Sequence, residues 1–172
     1  MLSDTPTVLR RICDRKLEEI KERKVLCSLD AVKAQALAQL APRGFINALR
    51  ARAYAGHPAV IAEMKKASPS AGVIINDYKP EDLALEYEAK GYTNLSILTE
   101  EDHFLGAISH IAKVRKVSDL PILQKDLIVD EWQIYQAKTI GVDCILLISE
   151  ILTKEEIESF IKTAKTLKLD IL

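Results

Sequence analysis

Residues 94–126 read NLSILTEEDHFLGAISHIAKVRKVSDLPILQKD. An apolar run, NLSILT (94–99), is followed by a helical pattern in GAISHIAKVRKV (106–117) and a second apolar run in LPILQKD (120–126). Near-continuous apolar strands separated by a helix belong to a parallel sheet with helices on its face, because a parallel pair needs a long crossover connection. The alternation extends in both directions. AVIAEM (59–64) reads as the preceding strand and PEDLALEYEAKG (80–91) as its helix, opened by Pro80 and stopped by Gly91. DEWQIYQAKTIG (130–141) reads as a helix capped by Asp130 and ended at Gly141. DCILLIS (143–149) is a strand, and TKEEIESFIKTAKTLK (153–168) a helix with Thr153 and Glu156 at capping-box spacing. LDIL (169–172) begins a fifth strand.

The segment before Pro58 differs. TVLRRICDRKLEEIKERK (7–24) predicts a helix with Val8, Ile12, Leu17 and Ile20 on one face. LDAVKAQALAQLA (29–41) and Phe45–Tyr54 predict two more. The expected organisation is one domain over 1–172: a helical extension (1–57) before an incomplete β/α barrel (58–172). The fold class is α/β, either an open doubly wound sheet or a (β/α)8 barrel. The first strand is followed by Ser68-Pro69-Ser70 and no GxGxxG, which weakens a dinucleotide-binding reading.

Bulk composition excludes several classes. The 172 residues carry 24 Lys plus Arg against 25 Asp plus Glu, a balance that favours neither nucleic acid nor an acidic membrane as partner. No apolar run approaches the roughly 18 residues of a membrane span. The opening MLSDTPTVLRRICDRK lacks the apolar core of a signal peptide, so the expected compartment is the cytoplasm. Cys13, Cys27 and Cys144 are odd in number and far apart, with no metal-ligand spacing.

Parallel α/β sheets place chemistry at the C-terminal ends of their strands. Those ends carry Glu63, Lys65, Ser68 and Ser70; Ser96, Thr99, Glu100 and Asp102; Gln124, Lys125 and Asp126; Ser149 and Glu150. Glu63 and Lys65 are two apart and point to one face, and Lys125 ends a strand that can contribute to the same interior. One carboxylate and two ammoniums around a cavity suit an anionic substrate. Taken singly, a lysine after a strand is usually a solvated loop residue. His57 lies at the wrong end for a site, and His103 and His110 have no partner at ligand spacing. Trp132 reads as packing, and Asp126 as a brace for its loop.

VIAEMKKASPSAGVI (60–74) resembles the signature of indole-3-glycerol-phosphate synthases, and LSILTEEDHFLGAISHIAKVR (95–115) and LPILQKDLIVDEWQIYQAKTIGVDCILLI (120–148) are similar to later units of that family. The resemblance implies a (β/α)8 barrel with a helical extension. It also implies ring closure with decarboxylation and dehydration of 1-(2-carboxyphenylamino)-1-deoxyribulose 5-phosphate, without cofactor or metal. Carried over by motif, Lys125 is the general acid. Lys65 binds the anionic substrate and shares in proton transfer, while Glu63 orients the lysines and stabilises charge on the anilino nitrogen. Ser68 belongs to the substrate-binding turn and Phe104 walls the anthranilate ring. Leu127 stands where the family usually has Phe, and Ala71 where it often has Lys.

Strand five stops at Asp170-Ile171-Leu172, before the family's catalytic glutamate and phosphate loops. The expectation is a chain that alone is a weak enzyme or none. Its barrel edges, with interior side chains such as Ile97, Leu123 and Leu146, would be open to self-association or a complementing chain. A non-catalytic half-barrel is the alternative. Another phosphate-binding barrel, such as a phosphosugar isomerase, is a weaker reading that needs other strand-end residues.

Overall fold

The computed structural model describes residues 7–172. The opening MLSDTP lies outside the described residues. Three helices come first: α1 (Thr7–Leu26), α2 (Leu29–Leu37) and α3 (Phe45–Tyr54). Then follow β1 (Ile61–Met64), a small hairpin of β2 (Ala67–Ser68) and β3 (Gly72–Val73), and α4 (Pro80–Ala89). The remainder alternates: β4 (Asn94–Leu98), α5 (Ile108–Val114), β5 (Ile122–Lys125), α6 (Glu131–Thr139), β6 (Cys144–Ile145), α7 (Lys154–Thr166) and β7 (Asp170–Ile171). The main sheet has the order β1-β4-β5-β6-β7, and every pair is parallel.

Local chemistry sets the helix limits. Asp130 accepts from the backbone of Trp132 at 2.8 Å while the Gln133 side chain accepts from Asp130 N, so α6 opens with a capping box. Thr153 and Glu156 form the same box on α7. Gly91 and Gly141 sit at φ +75° and +80° just past α4 and α6, a conformation that strains other residues.

Strand register sorts side chains into two faces. Glu63 aligns with Ser96, Ser96 with Leu123, Leu123 with Cys144, and Cys144 with Asp170. This row faces the sheet's concave interior. The alternate row, Ala62, Met64, Leu95, Ile97, Ile122 and Ile145, packs under the helices with Ala84, Ile111, Val114 and Ile134. Ile97 is thus fully buried on the helix side and is not an interior position as expected. Leu123 does face inward, yet it is only 2% exposed, because Phe45 of α3 covers it together with Cys144.

The hairpin was not anticipated, and β6 is shorter than the seven-residue strand expected from DCILLIS: regular pairing covers only Cys144–Ile145. On α1 the buried stripe is Ile12, Cys13, Lys16 and Ile20, while Val8 is 55% exposed and Leu17 half-buried. A lysine occupies the i+4 position between two isoleucines. No described helix is long and apolar enough to cross a membrane.

Candidate active site

Strand β1 ends with its side chains alternating. Ala62 and Met64 go to the helix side, so Glu63 and Lys65 point into the mouth. In the parallel register Lys65 falls level with Leu98 and Lys125, one row above Glu63. The geometry follows directly. Lys65 Nζ donates to Glu63 Oε1 and Lys125 Nζ to Glu63 Oε2, both at 2.7 Å. One carboxylate bridges two ammoniums, and all three side chains keep about a third of their surface exposed. Burial alone would raise the Glu63 pKa, but hydrogen bonds and charge from Lys125 and Lys65 outweigh it and hold the group below its ordinary value. Tyr87 of α4 donates to the Glu63 carbonyl at 3.3 Å and steadies the strand end.

Beside Lys125 lies a cavity of about 140 Å³. Its apolar wall includes Phe104, Leu127, Leu146 and Ile148, and Leu9 and Ile12 of α1 complete it. Phe104 and Leu127 line the space next to the lysine. Ser68 does not line this cavity. Its Oγ accepts from Ala71 N at 3.2 Å and lies 3.5 Å from Ser70 Oγ, so it ties the β2–β3 turn.

The loops around the mouth are held by their own carboxylates. Glu100 is buried and accepts from the backbones of His103 and Phe104 at 2.8 and 3.0 Å, and its Oε1 lies 3.2 Å from His103 Nδ1. This aims the Phe104 loop at the cavity. Gly106 closes that loop. A Cβ there would stand 2.5 Å from the Leu98 carbonyl oxygen, and its N–H donates to Glu100 O. Asp126 accepts from Thr99 Oγ1 at 2.6 Å and from Leu127 N at 2.8 Å. It braces its loop as expected, and it does more: buried Lys16 of α1 pairs with it at 3.1 Å and with Glu19 at 2.9 Å. Burial disfavours that ammonium, yet Asp126 and Glu19 outweigh it and raise the Lys16 pKa.

Lys16, Leu9, Ile12, Leu146 and Ile148 were missed as site neighbours. The available signal was Lys16 at i+4 from Ile12 and i−4 from Ile20, a cation inside an apolar stripe. Trp132 is packing, as expected: it is buried, with Nε1 donating to Cys27 O at 2.9 Å. Among the described residues no group of three or more His, Cys, Asp or Glu could hold a metal ion.

A family model described as indole-3-glycerol phosphate synthase matches residues 9–172. That family builds (β/α)8 barrels and serves tryptophan biosynthesis as a lyase, and the five parallel strands here fit consecutive strands of such a barrel. With the match running over nearly the whole sequence, the chain belongs to the indole-3-glycerol phosphate synthase family.

Proposed function

We propose that the protein takes part in converting 1-(2-carboxyphenylamino)-1-deoxyribulose 5-phosphate into indole-3-glycerol phosphate, carbon dioxide and water. The observation that carries this reading is the Glu63 carboxylate bridging Lys65 and Lys125 beside an apolar cavity. A dry cavity of roughly 150 Å³ is large enough for benzene, so the space suits an aromatic ring. The ring stacks against Phe104 and Leu127, which brings its carbon skeleton beside Lys125.

The chemistry then follows from charge. Lys125, positioned by Glu63, donates a proton to the ketose carbonyl oxygen as the ring carbon attacks the carbonyl carbon. Lys65 pairs with the substrate carboxylate, which leaves as carbon dioxide. Glu63 stays ionised because of its two partners, and it offsets positive charge on the anilino nitrogen. The new hydroxyl departs as water when a lysine ammonium protonates it. The cavity's other carboxylates, Glu100 and Asp126, are already engaged by the loop backbones and by Lys16. The residues here account for acid catalysis and anion binding.

Substrate binding is measured by anthranilate fluorescence and turnover by appearance of indole product. Lys125→Met is expected to lower the rate about 10²- to 10⁴-fold while leaving the fold intact. A wild-type chain that binds substrate no better than the Lys65→Met/Lys125→Met double variant would sink the reading.

A further inference from the structure

The opposite end of the barrel holds a second charged cavity. It measures about 250 Å³ and lies between the α2–α3 linker and the starts of the strands. Arg43, Arg115 and Lys138 line it, with Gln39, Pro42 and Asp143. A smaller neighbouring cavity of about 190 Å³ shares Lys138 and adds Lys168. Four cations thus surround one region, and none of them belongs to the mouth.

Lys138 is the unusual member. It is 5% exposed, and its ammonium donates to the carbonyl of Leu40. Among the described residues no carboxylate lies within ion-pair distance of it. An ammonium has three donors, and the one carbonyl leaves two of them for the cavity that Lys138 lines. The nearby carboxylate is already committed. Asp143 accepts from Arg43 N at 2.6 Å, from Ile122 N at 2.8 Å and from Arg115 Nη2. Arg115 also donates to the carbonyls of Gly141 and Leu120, which fixes its guanidinium in place. Arg43 reaches outward to the exposed Asp119 at 2.9 Å. Burial pushes the Lys138 pKa down; Asp143 works against this and Lys168 adds to it, so the net direction is lowered. An added anion would offset that desolvation.

We propose that this floor cavity binds a phosphate group, either inorganic phosphate or a phosphate monoester, through Lys138 with Arg43 and Arg115. A water takes up about 30 Å³ of liquid volume, so the cavity has room for a tetrahedral oxyanion and its remaining waters. Binding ties the α2–α3 linker, through Arg43, to α6, through Lys138, and so fastens the helical extension to the barrel floor. This does not rest on the proposed reaction.

The test is thermal unfolding in orthophosphate, in glycerol phosphate and in sodium chloride of equal ionic strength. At ten times its dissociation constant, phosphate is expected to raise Tm by about 3–6 °C over chloride. The rise should be lost in Lys138→Met and in Arg43→Gln, and kept in the Lys65→Met/Lys125→Met variant. Arg43 is a partly exposed loop residue, so its variant serves even where Lys138→Met does not fold. A rise with orthophosphate alone assigns the site to the free ion, and a rise with both assigns it to the phosphate group in general. An equal rise in chloride, a rise that survives in Arg43→Gln, or one that disappears with the mouth lysines overturns the proposal.

Discussion

The two ends of the sheet are both closed by the N-terminal helices, but by different physics. At the mouth α1 is held by ion pairs: Lys16 to Asp126, Arg15 to Asp102, Arg23 to Glu101 and Lys24 to Asp130. At the floor α3 inserts Phe45, 1% exposed, against Leu123 and Cys144, with Leu49, Ile61 and Leu146 around them. Backbone groups finish that seal. Asn94 Nδ2 donates to Phe45 O at 2.8 Å, and Ile46 N donates to Asp170 Oδ2 at 2.9 Å. At the floor Phe45 makes an apolar plug. At the mouth most of the ion pairs are partly exposed, and such pairs are weak and re-form easily. Lys16–Asp126 is the exception at the mouth, since both groups are buried.

The comparison breaks first at the floor. Phe45→Ala should cost about 3–5 kcal/mol, as cavity-forming changes at a buried Phe do. Urea unfolding checks it; a loss below about 1 kcal/mol would mean that α3 is not a structural plug. Lys16→Met comes next, with about 3 kcal/mol lost, because Asp126 is left as a buried carboxylate without its cation. Neighbouring Arg15→Ala should leave stability nearly unchanged, since that pair is half exposed. Equal losses from the two variants would erase the distinction between buried and exposed pairs at the mouth.

Smaller effects sharpen the picture. Gly106→Ala should cost about 1–3 kcal/mol, as the new methyl meets the Leu98 and Glu100 carbonyls. The cost should come with weaker substrate binding, because the same loop carries Phe104. The smallest effect is that of pH on Glu63. Its folded pKa lies below the ordinary value of 4.5, so its contribution is present above that value and lost as pH falls through the folded pKa. Titration by carboxylate NMR should show Glu63 ionised at pH 4.5, and the Lys125→Met variant should bring its midpoint back up. A Glu63 midpoint above 4.5 in the wild-type chain contradicts the bridge.

Much of the mouth could be read from residue order. Parallel strands put their functional ends together, and a period of two puts Glu63 and Lys65 on one face. Lys125 followed from the same rule applied to a later strand. A strand-end serine looks the same in sequence whether it faces a ligand or ties a turn, and the Ser68 hydroxyl ties one. Its β2–β3 hairpin spans only two residues a side, too short for periodicity to reveal. Ile97 misled for a related reason. Near-continuous apolar strands carry hydrophobic residues on both faces, so pattern alone does not say which face a given residue takes.

By itself, then, the sequence determined the parallel α/β alternation, the helix caps at Asp130 and Thr153, and the charged strand ends. These depend on local backbone chemistry and short periodicities, which neighbours in sequence encode. Only the tertiary structure decided that one carboxylate would bridge two lysines. It alone set α1 over the mouth through Lys16 and Asp126, and left Lys138 buried beside two arginines on the floor. Those arrangements join groups as many as 110 positions apart in the case of Lys16 and Asp126 (126 − 16). Their stability comes from desolvation and charge in a shared space, which no local pattern records.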